Sequence, residues 1–119
     1  MPTSRPVTRL AATVCLGLAS WPAAAQSLQS DARCLIVSNL FAASKDARAK
    51  RAGIEARYFY LGRLSGSPAQ IESALVAQSK TITAKNAPQT MQGCAQTVVE
   101  RARMVQAIGQ RLRGAPTGR

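Results

Sequence analysis

The fold of this chain is decided by residues 91–112, MQGCAQTVVERARMVQAIGQRL. The large apolar residues and one cysteine recur three, four, seven, three and four positions apart, with Ala102 inside the longest gap: Met91, Cys94, Val98, Val105, Ile108 and Leu112. This spacing is typical of an α-helix with one apolar face. Arg111 and Arg113 suit the negative end of the helix dipole, and Gly114 with Pro116 predicts the end. We therefore predict a long last helix whose apolar face turns inward.

Three further helices are predicted before it, because the rest of the chain is rich in helix-forming residues and shows no strand-like alternation. The first is expected to start at Ser30 and to be the most buried element. The second is expected to run from a Ser44 cap to about Leu64. The residues predicted to face inward on these two helices are Cys34, Val37, Leu40 and Phe41 on the first, and Ala47, Ile54, Tyr58 and Leu61 on the second.

The start of the third helix has the clearest local signal. Ser67-Pro68-Ala69-Gln70 combines a capping Ser, Pro at the first helical position and Gln at the capping-box position. Ile71, Ala74, Leu75 and Gln78 share one predicted side. Asn86 is the expected cap of the last helix, and Gly53 is expected to mark a bend in the second.

The N-terminus has the pattern of a secretory signal peptide over residues 1–25. Arg5 and Arg9 precede a short apolar run, and the small residues 23–25 suggest cleavage after Ala25. The run is too short to span a bilayer of about 30 Å. We therefore expect a periplasmic or secreted protein with a helical domain over 26–114 and a disordered tail over 115–119.

Two of the three cysteines remain once Cys15 is removed with the leader. An export signal and an even cysteine count predict one disulfide, between Cys34 and Cys94. Without that bridge, a single domain of this length would have a marginal core. The bridge is expected to join the first helix to the last.

Composition excludes most familiar catalytic chemistry. The chain has no His, so Ser-His-Asp and Cys-His catalysis and His-containing zinc sites are impossible. The five carboxylates include no pair placed three or four residues apart, and there is no phosphate-binding glycine loop. We expect a non-enzymatic protein with no cofactor and no metal.

The candidate binding residues lie in the aromatic segment over residues 58–63, YFYLGR. Three consecutive residues of a helix cannot all face one core, so at least one Tyr is expected at the surface. Two interpretations stay open. Either the segment packs and Gly62 admits a neighbouring helix, or it binds a partner through Arg57, Tyr58, Tyr60 and Arg63, since Tyr and Arg are common interface anchors.

The charge balance suggests a second kind of partner. The formal net charge is +11, from 16 Lys and Arg against 5 Asp and Glu. Such a charge favours anionic lipid or lipopolysaccharide as partners, although a bias toward Arg and Ala in the genome would also produce it. Nucleic acid is not expected, because aromatic residues do not interleave with the charges. Another envelope protein is the expected partner, and the oligomeric state stays open.

Four short motifs carry a resemblance: Asp31-x-x-Cys34, Tyr58-Phe59-x-Leu61-Gly62-Arg63, Gly93-Cys94-Ala95 and Ile108-Gly109-x-x-Leu112. In this arrangement the chain resembles small uncharacterised exported bacterial helical proteins with one disulfide, a resemblance that implies a fold and no activity. The leader, size and cysteine pair are also loosely similar to periplasmic acid-stress chaperones. Those proteins open when many carboxylates are protonated, and this chain has five. Chaperone activity is therefore an alternative.

Overall fold

A computed structural model describes residues 23–114, and their side chains from Ser27 onward. This part of the chain forms helices α1 (Ala23–Ala42), α2 (Ala47–Arg63), α3 (Pro68–Ser79) and α4 (Ala87–Gly114), with no strand. The predicted class, a small all-α domain of four helices, is confirmed. The predicted cleavage after Ala25 falls in the first turn of α1, while residues 1–22 and the predicted tail lie outside the described residues.

Helix α1 is the centre of the arrangement. It contacts each of the other three helices, α2 also contacts α4, and within residues 23–114 α3 packs against α1 alone. Ala32, Val37 and Ser38 of α1 are completely buried. Its predicted role as the most buried element therefore agrees with its central position, but the predicted inward face of Leu40 is wrong, since this side chain is 54% exposed.

The first helix begins earlier than predicted. Ser30 and Asp31 resemble a capped helix start, yet both lie inside α1, which runs from Ala23. The Ser27 hydroxyl donates to Asp31 Oδ2 one turn later at 3.4 Å. The predicted start at Ser30 is therefore wrong, and Asp31 accepts from a residue of the preceding turn of the same helix.

Helix α2 begins two residues later than predicted. Asp46, not Ser44, is its cap, and its carboxylate accepts from the Ala49 amide at 2.8 Å. Ser44 supports this turn by accepting from the Asp46 amide at 3.2 Å. A carboxylate at the positive end of a helix also offsets the basic first turns that follow.

The inward face of α2 is made of small residues and one tyrosine. Gly53, Ala56 and Tyr60 are buried, whereas Tyr58 is 65% and Leu61 56% exposed. Ala47 is exposed and Ile54 is half-buried. The predicted stripe Ala47, Ile54, Tyr58 and Leu61 is therefore wrong by about 140° around the helix axis.

The close approach of α1 explains why the face of α2 that carries Gly53 is the buried one. A Cβ at Gly53 would lie 2.6 Å from the Phe41 carbonyl carbon and 2.8 Å from the Ser38 carbonyl oxygen. Ser38 can be completely buried there because its hydroxyl donates to the Cys34 carbonyl of its own helix at 2.6 Å. Gly53 is therefore a contact point between two helices, and α2 continues through it without a break. Gly62, expected to admit a neighbour, has nothing within 4 Å of its Cβ position.

The predicted start of α3 is confirmed. Ser67 Oγ accepts from the Gln70 amide at 3.2 Å and Gln70 Oε1 accepts from the Ser67 amide at 2.9 Å, with Pro68 as the first helical residue. On its inner side Ala74 is buried, and Gln78 donates to Gln29 of α1 at 2.8 Å. This pair ties α3 to the central helix.

Asn86 stands at the start of α4, as predicted, but its side chain turns backward. Its carbonyl accepts from the Thr90 amide at 3.0 Å, while its Oδ1 accepts from the Thr83 amide at 2.8 Å and its Nδ2 donates to the Thr81 carbonyl at 2.7 Å. The Thr83 hydroxyl in turn accepts from the Asn86 amide at 3.2 Å. The reciprocal cap is therefore formed by Thr83 and Asn86, in the turn that precedes α4.

The disulfide between Cys34 and Cys94 joins the first helix to the last, as predicted. Both cysteines are buried in one cluster with Leu35, Val37, Ala56, Tyr60, Ala87 and Met91. Only the first turns of α4 reach this cluster. The bridge is of the kind that persists in oxidising compartments.

Candidate functional site

Three helices meet at a polar cleft of about 320 Å³ beside the disulfide. Asp31 of α1 is 4% exposed, and its carboxylate lies 3.2 Å from Arg63 Nε of α2. Arg63 also lies over the Phe59 ring, 5.4 Å from its centroid. Helix α4 contributes Gln89, Thr90, Gly93 and Thr97 to the lining, and α1 also contributes Ser30 and Arg33.

Tyr60 forms the floor of this cleft. It is 2% exposed, and its hydroxyl donates to the Cys94 carbonyl at 2.8 Å. Burial raises the pKa of the phenol, and the neighbouring Thr97 hydroxyl and Arg63 guanidinium oppose that rise only in part. Tyr60 therefore remains protonated and links α2 to the disulfide-bearing turn of α4.

The buried ion pair and the phenol of the cleft are used internally. Asp31 and Arg63 neutralise each other, and the Tyr60 hydroxyl is occupied by a carbonyl. Within the described residues, no three potential metal-ligating side chains come together. The chemistry that the geometry supports here is attachment of three helices to one another.

The four predicted binding residues do not form one patch. Tyr58 is exposed, with Arg57 stacked over its ring at 5.3 Å. Arg63 pairs with Asp31. Tyr60 is buried in the core, so the prediction that Tyr60 lies at a contact surface is wrong. Partner binding by Arg57 and Tyr58 stays a prediction. Edge-to-face packing of Tyr60 on Phe59, with centroids 4.9 Å apart, explains how two of three consecutive aromatics turn inward.

A larger surface, which the sequence analysis placed in the core, lies on the second half of α4. Met91 and Cys94 are buried and Val98 packs against the core, but from Val99 to Gly114 every residue except Gly109 is exposed. We call Val98, Val105, Ile108 and Leu112 the α4 stripe. Beyond Val98 its exposed fractions are 59% for Val105, 39% for Ile108 and 71% for Leu112. The predicted inward direction of these three residues is wrong.

Helix length was the signal that could have revealed this surface. Helix α4 has 28 residues, against 20 in α1, 17 in α2 and 12 in α3. At 1.5 Å per residue it is about 42 Å long and its second half extends past the shorter helices. An apolar face that extends beyond the helices packed against it must be exposed to solvent or covered by another molecule.

None of the helices in residues 23–114 is both long and apolar enough to cross a membrane. Comparisons with protein-family models, with curated proteins and with solved structures find no match for this chain. The function is therefore argued from the surfaces themselves.

Proposed function

We propose that this chain is a non-enzymatic binding or accessory protein of the bacterial envelope, and that the α4 stripe is its main partner-binding surface. The observation that carries the proposal is the exposure of three large aliphatic side chains in one line on a single helix, Val105, Ile108 and Leu112. Exposed contiguous apolar surface of this kind is typical of protein or membrane contact sites. Scattered apolar residues would need no such explanation.

The division of α4 into two halves supports this role. The first half is held firmly by the disulfide, by the Tyr60 hydrogen bond to Cys94 and by Met91 in the core. The second half continues as the same helix, so the core orients the stripe without covering it. A partner would meet a surface that is already helical, which lowers the ordering cost of binding.

An exported location belongs to the same proposal. The signal-peptide pattern of residues 1–25 and the buried disulfide support a periplasmic or secreted protein. The resemblance to small exported helical proteins is compatible with it. Absence of a catalytic role is part of the proposal as well, because Asp31 and Arg63 of the cleft pair with each other and the Tyr60 hydroxyl donates to a backbone carbonyl.

The test uses two valines of the same helix. Val105 and Val99 are 59% and 47% exposed, and only Val105 belongs to the stripe. Val105→Asp and Val99→Asp therefore make matched changes in charge, volume and helix propensity. The oxidised protein, carrying a photoreactive group at Ile108, is crosslinked in native envelope extract. We expect one dominant protein adduct that Val105→Asp removes and Val99→Asp retains; equal loss in both variants, or no protein adduct, would refute the proposal.

A second candidate function is binding to anionic envelope surfaces. It is favoured by the four arginines of the projecting half of α4, Arg101, Arg103, Arg111 and Arg113. Binding to phosphatidylglycerol vesicles or lipopolysaccharide would then weaken steeply as salt increases. Absence of binding at low salt removes this candidate.

A further inference from the structure

The α4 stripe has the spacing of a coiled coil rather than of a broad amphipathic face. From Met91 to Leu112 the positions in line are three and four residues apart in strict alternation, once Arg101 is counted between Val98 and Val105. This is a heptad pattern, whose first two positions, Met91 and Cys94, are buried in the core. The part open to a partner runs from Val98 to Leu112 and has five core positions, of which four are apolar and one is Arg101. A strict seam of this kind is narrow and fits a partner helix.

Small residues accompany the stripe along one side. Ala95, Ala102 and Gly109 are seven residues apart, each one position after Cys94, Arg101 and Ile108. Ala95 already packs against the core, whereas Ala102 is exposed. The spacing between two packed helices depends on the side chains at their contact, so this side of the stripe permits close approach. The pair α1–α2 uses Gly53 and Ala56 in the same way.

Charge decides which helix fits. Between Val98 and Gly114 there are four arginines and one acidic residue, Glu100, which accepts a hydrogen bond from Gln96 at 3.3 Å. Arg111 lies about 60° from Ile108 and about 100° from Leu112 around the helix axis and therefore flanks the stripe, whereas Arg113 lies about 140° from Ile108 and faces outward. Arg101 lies within it, where a partner helix would cover its charge. Covering an unpaired charge is costly, so the partner must offer carboxylates.

These observations disfavour two other occupants. A second copy would bring four arginines against four more, and in parallel register Arg101 against Arg101. A lipid surface would bury Arg101 at the centre of the inserted face, and residues 98–112 contain no aromatic residue to anchor a helix at the interface.

We propose that the α4 stripe binds an acidic amphipathic helix of another protein in coiled-coil geometry, with a carboxylate of that helix facing Arg101. This inference rests on the proposed function and specifies the chemistry of its partner. Heptad core positions would supply the apolar contact, a carboxylate facing Arg101 would pair with it, and a glutamate or aspartate beside the core positions would pair with Arg111. The partner is thus defined by pattern and charge.

The first test is binding of the full oxidised chain to a fluorescent three-heptad peptide. The peptide has glutamate at the core position facing Arg101, leucine or isoleucine at the other core positions, and glutamate beside them. Two control peptides replace every glutamate by lysine or scramble the order of the acidic peptide. Fluorescence anisotropy is expected to show at least about tenfold tighter binding of the acidic heptad peptide than of either control. Equal binding of the scrambled peptide would refute coiled-coil recognition, and equal binding of the basic peptide would refute the charge argument.

Matched variants then locate the contact. Arg101→Glu and Arg103→Glu make the same change in charge. The two residues are two positions apart, so their side chains point about 160° away from each other around the helix axis. We expect Arg101→Glu to lower the affinity for the acidic peptide by at least about tenfold, and Arg103→Glu to lower it by no more than about threefold. The Arg101→Glu variant should regain the lost affinity when the peptide carries a single lysine at the position facing residue 101. Equal losses in both variants, or no recovery, would overturn the assignment.

The other occupants give different results. A dimer in sedimentation that Val105→Asp dissociates would assign the stripe to a second copy. Binding to phosphatidylglycerol vesicles that depends on Val105, with no peptide binding, would assign it to a membrane. If the envelope adduct still depends on Val105 while the acidic peptide fails to bind, the proposed function stands and only this inference fails.

Discussion

Replacement of Tyr60 is the sharpest test of the packing, because Tyr58, two residues earlier in the same helix, serves as its control. Tyr60 is 2% exposed and donates to the Cys94 carbonyl, whereas Tyr58 is 65% exposed. Truncation of a fully buried aromatic to Ala costs about 3–5 kcal/mol, of which loss of the hydrogen bond accounts for about 1 kcal/mol. Tyr60→Ala should therefore remove much of the stability of a domain with about 5–15 kcal/mol in total.

The assay is urea unfolding followed by circular dichroism on Tyr60→Ala, Tyr60→Phe and Tyr58→Ala. We expect losses of about 3–5 kcal/mol for the first and about 1 kcal/mol for the second. The exposed control should change by no more than about 0.5 kcal/mol. If Tyr60→Ala costs under about 1 kcal/mol, or no more than Tyr58→Ala, then Tyr60 is not part of the core and the geometry of the cleft is refuted.

The same residue makes stability depend on pH. Burial raises the pKa of Tyr60 above its ordinary value of 10.0, so the unfolded chain loses this proton first as the pH rises. Above about pH 10 the folded state binds more protons than the unfolded state, and the free energy of unfolding falls. The stabilisation is complete below that pH and is lost as the pH passes the folded-state pKa. The advantage of the wild type over Tyr60→Phe should therefore hold up to about pH 10 and shrink above it, and a difference that stays constant above this pH would contradict the burial.

Two further predictions concern the joints between helices. Because the disulfide closes a loop with a sequence separation of 60, replacing Cys34 and Cys94 together by Ala should cost about 4 kcal/mol in urea unfolding, and a loss below about 1 kcal/mol would show that packing alone holds α4. Gly53→Ala should destabilise by about 1–3 kcal/mol, since its Cβ meets the backbone of α1, while Gly62→Ala should stabilise by about 0.5–1 kcal/mol through helix propensity. Equal effects of the two glycine substitutions in thermal unfolding would refute the close contact of α1 and α2.

Local signals in the sequence predicted the features that depend on neighbouring residues. The capping box at Ser67 and Gln70 forms as expected, because both partners lie within one turn. The end of α2 near Leu64 is also recovered, where the Leu64 amide donates to the Tyr60 carbonyl. The disulfide followed from counting cysteines after removal of the predicted leader, and needed no geometry.

The candidate site was predicted only in part. The aromatic segment holds Tyr58 at the surface, but it also holds Tyr60 in the core and Arg63 against a buried carboxylate. Nothing in the local sequence distinguishes the two tyrosines. Asp31 and Arg63 are 32 positions apart, so only the crossing of α1 and α2 reveals their pairing.

By itself the sequence determined that residues 23–114 form four helices, where α3 begins and which two cysteines pair. These features follow from backbone hydrogen bonding, capping and the number of thiols. Only the tertiary structure decided that Gly53 and Ala56, rather than Ile54 and Leu61, face inward, and that the apolar face of α4 continues beyond the core. Helical periodicity sets the direction of each side chain about its own axis, whereas the positions and lengths of the other helices decide which direction is buried.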